Sequence, residues 1–324
     1  MSGYTIVQWL FFFYFYCFFG WCFESAYVSV KSRRWVNRGF MRGPFLPLYG
    51  FGAIMMLVVS KPFQDNLVLV YFAGCLGATA LEYVTGVIME ALFKVRYWDY
   101  SGKRFNFQGH ICLGSSLAWG FLTILMTEVI HKPVERFVLW LPSQALGIAT
   151  LVLTAVICAD FALSFQAAMD LKNVLVKMEK ARDELLRVQK RLDVIIALAA
   201  EDWESRKAIL ADGFAQRREA LTEGVSARIE DLKEQIDEAL ENLKNLALTK
   251  HSEYLDSVKE EILELKWKYK NSLEERERMS GLRDFFQRGL IRSNPTMSSE
   301  RFKEALEELK KNSGRKNSKG KKES

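Results

Sequence analysis

The sequence predicts an all-α protein: a polytopic membrane helix bundle of five spans, patterned as a duplicated hairpin, followed by a long cytoplasmic coiled-coil tail. Three observations carry this. The chain is two different polymers joined end to end, apolar and aromatic up to about Phe165 and rich in Glu, Lys, Arg, Leu and Ala beyond it. The apolar part falls into runs of the length a bilayer requires, roughly 20 residues each. A short pattern recurs: Gly20-Trp-Cys-Phe-Glu24 and Gly86-Val-Ile-Met-Glu90 each precede a basic loop. Asn37-Arg-Gly39 and Asn106-Phe-Gln-Gly109 follow, and then Tyr49-Gly50 and Trp119-Gly120 inside the next apolar run.

The five spans are placed at about 7–30, 44–60, 67–92, 110–130 and 143–166. The first is read as retained, because nothing charged precedes Trp9 and the run ends in Tyr27-Val-Ser-Val-Lys31 and not in a small-residue cleavage site. The loop after it carries Lys31, Arg33, Arg34, Arg38 and Arg42 without an acid, and the third loop carries Lys94, Arg96, Lys103 and Arg104 against Asp99. The second and fourth loops have no such excess. The positive-inside rule therefore puts loops one and three in the cytoplasm, the N-terminus outside and the tail inside. Residues 1–168 form the transmembrane domain on this reading.

Both hairpins begin their second span with a helix-disturbing stretch. Arg42-Gly-Pro44-Phe-Leu-Pro47-Leu-Tyr-Gly50 places two prolines where a span should start. Pro47, one turn into a helix starting near residue 44, predicts a kink or break. Gly109-His110 through Gly120 is its small, hydroxylated counterpart. Interrupted helices expose backbone dipoles that bind ions at membrane depth, whereas close packing through small residues is the plainer explanation. His110 stands alone, so no metal centre is expected. Cys17, Cys22, Cys75, Cys112 and Cys158 all lie in apolar segments without CxxC spacing and read as packing residues.

Four carboxylates fall inside the spans: Glu24, Glu82, Glu90 and Asp160. Each costs at least ~2.5 kcal/mol near the bilayer centre. Glu82 and Glu90 share one helix face, about 12 Å apart along the axis, with Gly86 leaving a groove between them. In one reading these acids pair with Arg38, Arg42, Lys94, Arg96 or His110 and lock loops to helices. In the other, Glu82 and Asp160 are the central acids of a cytoplasm-facing cavity for a cation, a proton or an amine, with Glu24 and Glu90 gating or anchoring it.

The stretches Asn37 to Gly50, Glu82-Tyr-Val-Thr-Gly-Val-Ile-Met-Glu90, Trp98-Asp-Tyr-Ser101 and Asn106 to Gly120 resemble a membrane family of ABC-transporter permeases (type IV, CmpB-like) over about residues 10–165. The resemblance implies a bacterial inner-membrane protein with a transport role. The chain has no GxxxxGK[ST] loop to cradle phosphates, so an ATPase would be a separate subunit docking on loops one and three or on the tail. No HExxH or GxSxG constellation points to an enzyme, and neither cofactor nor nucleic acid is implied; the net charge of +6 does not describe one surface.

The tail opens on a heptad seam, Leu171, Val174, Met178, Ala181, Leu185, Val188, Leu192 and Ile195, that continues from span five. The seam resumes at Ile229–Leu246 and at Leu255, Val258, Ile262 and Leu265, with Gly213 and Gly224 between. Residues 169–292 are accordingly a coiled coil joining protomers or a hairpin folding back near Gly213. Residues 293–324 are expected to hold a short helix at about 299–311 and a disordered basic end. The function favoured is a permease subunit; the rival is a membrane-anchored scaffold or sensor recruiting partners through its tail.

Overall fold

A computed structural model describes residues 3–199, 253–280 and 285–319. The described chain is helical apart from one two-stranded ribbon. Helix α1 (Ile6–Ser32) starts at Thr5, whose hydroxyl accepts from the Gln8 amide while Gln8 reaches back to the Thr5 N–H. It ends at Arg33, which takes a left-handed conformation and returns its N–H to the last turn. Helix α3 (Leu67–Phe93) repeats this plan with Asn66 as the N-cap and left-handed Lys94 as the C-cap.

Helix α2 covers Pro47–Ser60 and is the short apolar member. The kink expected at Pro47 is absent because the helix starts there. Pro47 is the first helical residue, where its missing N–H costs no hydrogen bond. Helix α4 (Leu113–Leu125) passes through a π turn at Met126–Ile130 into α5 (His131–Trp140), one continuous helix of 28 residues. Helix α6 runs unbroken over Ser143–Ala199. Four helices, α1, α3, α4–α5 and α6, are long and apolar enough to cross a membrane, and Pro47–Phe63 is shorter. The chain is a multi-pass membrane protein.

Neighbouring helices pack in sequence order, α1 on α2, α2 on α3 and α3 on α4. Phe12, Tyr16, Ala53, Met56, Ala78, Met126 and Val138 form the shared core. Glycines let these helices meet. A Cβ on Gly50 would run into Cys17 Sγ and Phe13, and one on Gly120 would lie 2.7 Å from Cys75 Sγ and 2.6 Å from Tyr71.

The two loops at one end are built alike in one respect: each turns on a glycine with positive φ, Gly39 at 132° and Gly109 at 72°. In the second loop Gln108, Gly109 and His110 form the turn between Asn106–Phe107 and Ile111–Cys112, the first two with positive φ.

By its contacts the chain divides into a unit of residues 1–172 with 284–301 and a unit of 173–283 with 302–324. In the second unit Leu175, Met178, Ala181, Leu185, Val188 and Leu192 are buried along α6, and Ile262, Leu265 and Tyr269 along the helix Glu253–Ser280. The Ser272 hydroxyl donates to Glu184 at 3.0 Å, and Arg191 pairs with Glu261. As one number rises the other falls, so these two helices run antiparallel within one chain. The expected fold-back at Gly213 and the block Ile229–Leu246 lie outside the described residues. The last helix, Lys303–Lys319, starts later and runs longer than the short one expected at 299–311.

Candidate functional site

The four intramembrane acids all sit towards the loop end of the bundle, and each has a different set of partners. Glu24 accepts from the Tyr49 hydroxyl at 2.7 Å and pairs with Arg38 Nε at 3.5 Å. Gly20 makes this possible: a side chain there would collide with Tyr49, so only glycine lets the ring lie on α1 and reach Glu24 one turn further on. Arg38 is aimed by the turn at Gly39, and its own N–H donates to Ser25 Oγ at 3.1 Å.

Glu90 is held by Arg96 Nε at 2.9 Å and His110 Nε2 at 3.1 Å. The groove expected at Gly86 is filled by the His110 ring, whose Nδ1 would lie 2.9 Å from a Cβ at that position. Arg96 also reaches Asp99 at 3.9 Å. Partial burial pushes the Asp99 carboxyl up, but hydrogen bonds from Ser101 and Ser298 and the Arg96 charge outweigh it and hold it below the ordinary aspartate value.

Asp160 on α6 is engaged by backbone. Its two oxygens accept from the Gly43 N–H at 2.9 Å and the Arg42 N–H at 3.3 Å, and Ser164 Oγ donates to it at 3.4 Å. A carboxylate that accepts adjacent amides ties the Arg42–Pro44 bend to α6. Arg42 meanwhile donates to the Leu163 carbonyl at 2.9 Å. Asn37 bridges α1 and the bend, accepting from Trp21 Nε1 and donating to the Arg42 carbonyl. Asn106 instead ties the other loop to itself, donating to Lys103 O at 2.8 Å and accepting from the Gly109 N–H at 3.2 Å.

Glu82 is the most fully buried of the four. It is 5% exposed, and the Tyr100 hydroxyl donates to Oε1 at 2.9 Å and Trp119 Nε1 to Oε2 at 2.8 Å. No cationic side chain among the described residues pairs with it. Burial and the Glu82 carboxylate beside it both push the Tyr100 hydroxyl up, so Tyr100 stays a neutral donor.

These contacts repeat between the hairpins in a register that differs from the sequence match. Phe13, Cys17 and Glu24 on α1 have the spacing of Tyr71, Cys75 and Glu82 on α3. Gly50 rests on Phe13 and Cys17 as Gly120 rests on Tyr71 and Cys75. Tyr49 then bonds Glu24 as Trp119 bonds Glu82. The structural counterpart of Glu24 is therefore Glu82, whereas the match through Gly20 and Gly86 paired it with Glu90. The spacing aromatic-x3-Cys-x6-Glu was present in both helices and was the signal to follow.

The family model described as Putative ABC-transporter type IV matches residues 11–165. Over these residues the chain is similar to that family. The family segment starts within α1 and ends within α6, so it contains both hairpins, both loops and all four acids. No curated protein and no solved structure matches the chain.

Sequence reasoning missed a second polar cluster, at the opposite ends of the same helices. His131 follows the π turn and is buried, with Nδ1 2.8 Å from the Tyr16 hydroxyl and Nε2 3.2 Å from the Tyr4 hydroxyl. Tyr4 donates to Glu135. If Tyr4 spends its proton on Glu135, Nε2–H donates to Tyr4 and Nδ1 accepts from Tyr16, so one neutral tautomer satisfies every group. A lone histidine in an apolar run carries no such signal, because its partners come from 115 and 127 residues away.

Proposed function

We propose that this chain is the membrane-spanning permease subunit of a transporter, working with an ATPase on a separate chain, and that Glu82 is its exchange site for a proton or small cation. The observation that carries this is the contrast between two equivalent acids. Glu24 is neutralised by Arg38, so it has no vacancy for a cation. Glu82 holds the corresponding place in its hairpin, is more fully buried and faces only neutral donors among the described residues, which is a costly arrangement in a bilayer unless the carboxylate takes a positive partner in operation.

The donors fit both states of the site. The Tyr100 hydroxyl is able to turn and accept from a protonated Oε1, whereas Trp119 only donates and so keeps Oε2 as the fixed acceptor. The proton is therefore assigned to Oε1, on the side of the loop that carries Tyr100. Asp160, Glu24 and Glu90 take the anchoring role, each binding a loop to a helix. The positive-inside argument gives the loop end and the tail the cytoplasmic side, where an ATPase would dock.

The partner is tested by a tagged pull-down from native membranes in mild detergent, with mass spectrometry of what is recovered. Recovery of a nucleotide-binding subunit is the expected result. Recovery of this chain alone, under conditions that keep other ABC complexes intact, overturns the permease reading and leaves a membrane-anchored scaffold.

A further inference from the structure

The segment Ser293–Glu300 lies in the same unit as residues 1–172 and is gripped by both loops. Arg38 Nη1 donates to Asn294 Oδ1 at 2.7 Å and to the Ser293 carbonyl at 3.4 Å, and Nη2 reaches Thr296 Oγ1 at 3.3 Å. Asn294 in turn donates to the Gly39 carbonyl at 2.9 Å. Further along, the Arg96 N–H donates to the Ser298 carbonyl at 2.8 Å and the Ser298 N–H returns to the Arg96 carbonyl at 2.9 Å, a single antiparallel bridge. Ser298 Oγ donates to Asp99 at 2.8 Å, Ser299 Oγ to the Lys94 carbonyl at 2.8 Å, and Arg96 Nη1 pairs with Glu300 at 3.0 Å. Pro295 keeps this stretch out of a helix.

Each of the two arginines that hold the segment also holds an intramembrane acid. Arg38 binds Asn294 and Glu24; Arg96 binds Ser298, Glu300 and Glu90. The grip itself is mostly polar, with Met297 as its apolar anchor and the Glu300 side chain 77% exposed. Polar groups of this kind exchange their partners for water at small net cost, unlike the apolar contacts between α1, α2 and α3.

We infer that Ser293–Glu300 is a detachable latch, a cis-docking segment through which the tail sets the two loops and, through Arg38 and Arg96, the carboxylates of Glu24 and Glu90. Docked, it completes the coordination of both guanidinium groups. Released, it leaves both arginines free to reorient and uncovers the face formed by Asn37–Gly39 and Arg96–Asp99. The latch does not depend on what the protein transports or on Glu82.

Hydrogen–deuterium exchange on the full-length chain in lipid nanodiscs tests it, read at the amides of Arg96 and Ser298, which bond only across the bridge. In the wild type these two amides are expected to exchange at least tenfold faster than the interior amides of α1 and α3, by local opening. Asn294→Ala and Met297→Ala are expected to speed them a further tenfold together while α1 to α4 keep their protection. Equal protection of the bridge and the helix interiors in the wild type would mean that the segment opens only with the whole fold, and would overturn the latch. Unchanged exchange at Arg96 in both variants would overturn it too, as would loss of protection throughout α1 to α4, which would make the segment an integral part of the bundle. Failure of the Asn294→Ala and Met297→Ala variants to fold leaves the wild-type comparison decisive.

Discussion

Glu24 and Glu82 stand at equivalent places in the two hairpins but differ in burial and in what faces them, which makes them a natural pair for substitution. Glu24→Gln leaves the Arg38 guanidinium without its carboxylate in a mostly buried position, and a loss of about 2 kcal/mol is expected in thermal unfolding of the detergent-solubilised protein. Glu82→Gln keeps an oxygen for Trp119 and presents an NH2 donor that the Tyr100 hydroxyl can turn to accept, so its folding should change little. In proteoliposomes containing the assembled transporter, Glu82→Gln is expected to cut ATP-driven proton flux, followed with an entrapped pH dye, at least tenfold. Flux at the wild-type level in that variant would remove Glu82 from the mechanism. Tyr97 offers a control of opposite sign. Its hydroxyl is buried without a hydrogen-bond partner among the described residues, so Tyr97→Phe should raise stability by about 1 kcal/mol.

At the scale of elements, the repeated contact is a glycine of the second helix set against a cysteine of the first. Gly50→Ala forces a methyl group into Cys17 and Phe13, and overpacking of this kind costs about 1–3 kcal/mol. Cys17→Ala removes the sulfur that the methyl meets, so the double variant should recover part of the loss in the same thermal assay. Strict additivity of the two changes would show that the helices have shifted apart and not met at that point. At the other end of the bundle, Tyr16→Phe deprives the buried His131 Nδ1 of its donor. A loss of about 1–2 kcal/mol is expected there, whereas a substitution at the exposed Phe19 should cost far less.

For the whole molecule, the tail is the part whose removal separates the two functional readings. A chain ending at residue 172 lacks the latch and the second unit but retains the family segment. A permease core without its tail should keep measurable Glu82-dependent flux; a scaffold would lose its activity altogether. The latch also carries a pH signature. Asp99 is held below its ordinary value by Ser101, then by Ser298 and Arg96; of these only the Ser298 bond is lost on release, so the docked form binds fewer protons than the released one. Its contribution is complete above the ordinary aspartate value of 3.8 and is lost as pH falls through the lowered one. Protection at Arg96 and Ser298, corrected for intrinsic exchange, should therefore stay level from about pH 8 to about pH 5 and fall only in stronger acid.

Hydropathy, loop charge and the order of motifs determined by themselves that the chain is helical, crosses the membrane several times, resembles this family over its first half and carries its acids near the loop end. These are properties of local composition and of spacing along one helix, and they need no knowledge of neighbours. The pairings of Glu24 with Arg38 and of Glu90 with Arg96 and His110 were among those the residue types allowed, because an acid beside a basic loop has few affordable partners. Tertiary structure alone decided that Glu24 and Glu90 meet cationic side chains while Glu82 meets neutral donors, since that depends on every element packed around each acid. It also decided that Gly86 holds a histidine ring instead of an open groove, and that Pro47 begins a helix instead of bending one. His131 and the Ser293–Glu300 segment were illegible for the same reason. Their partners lie more than a hundred residues away, and no periodicity within a single helix records a contact made across that distance.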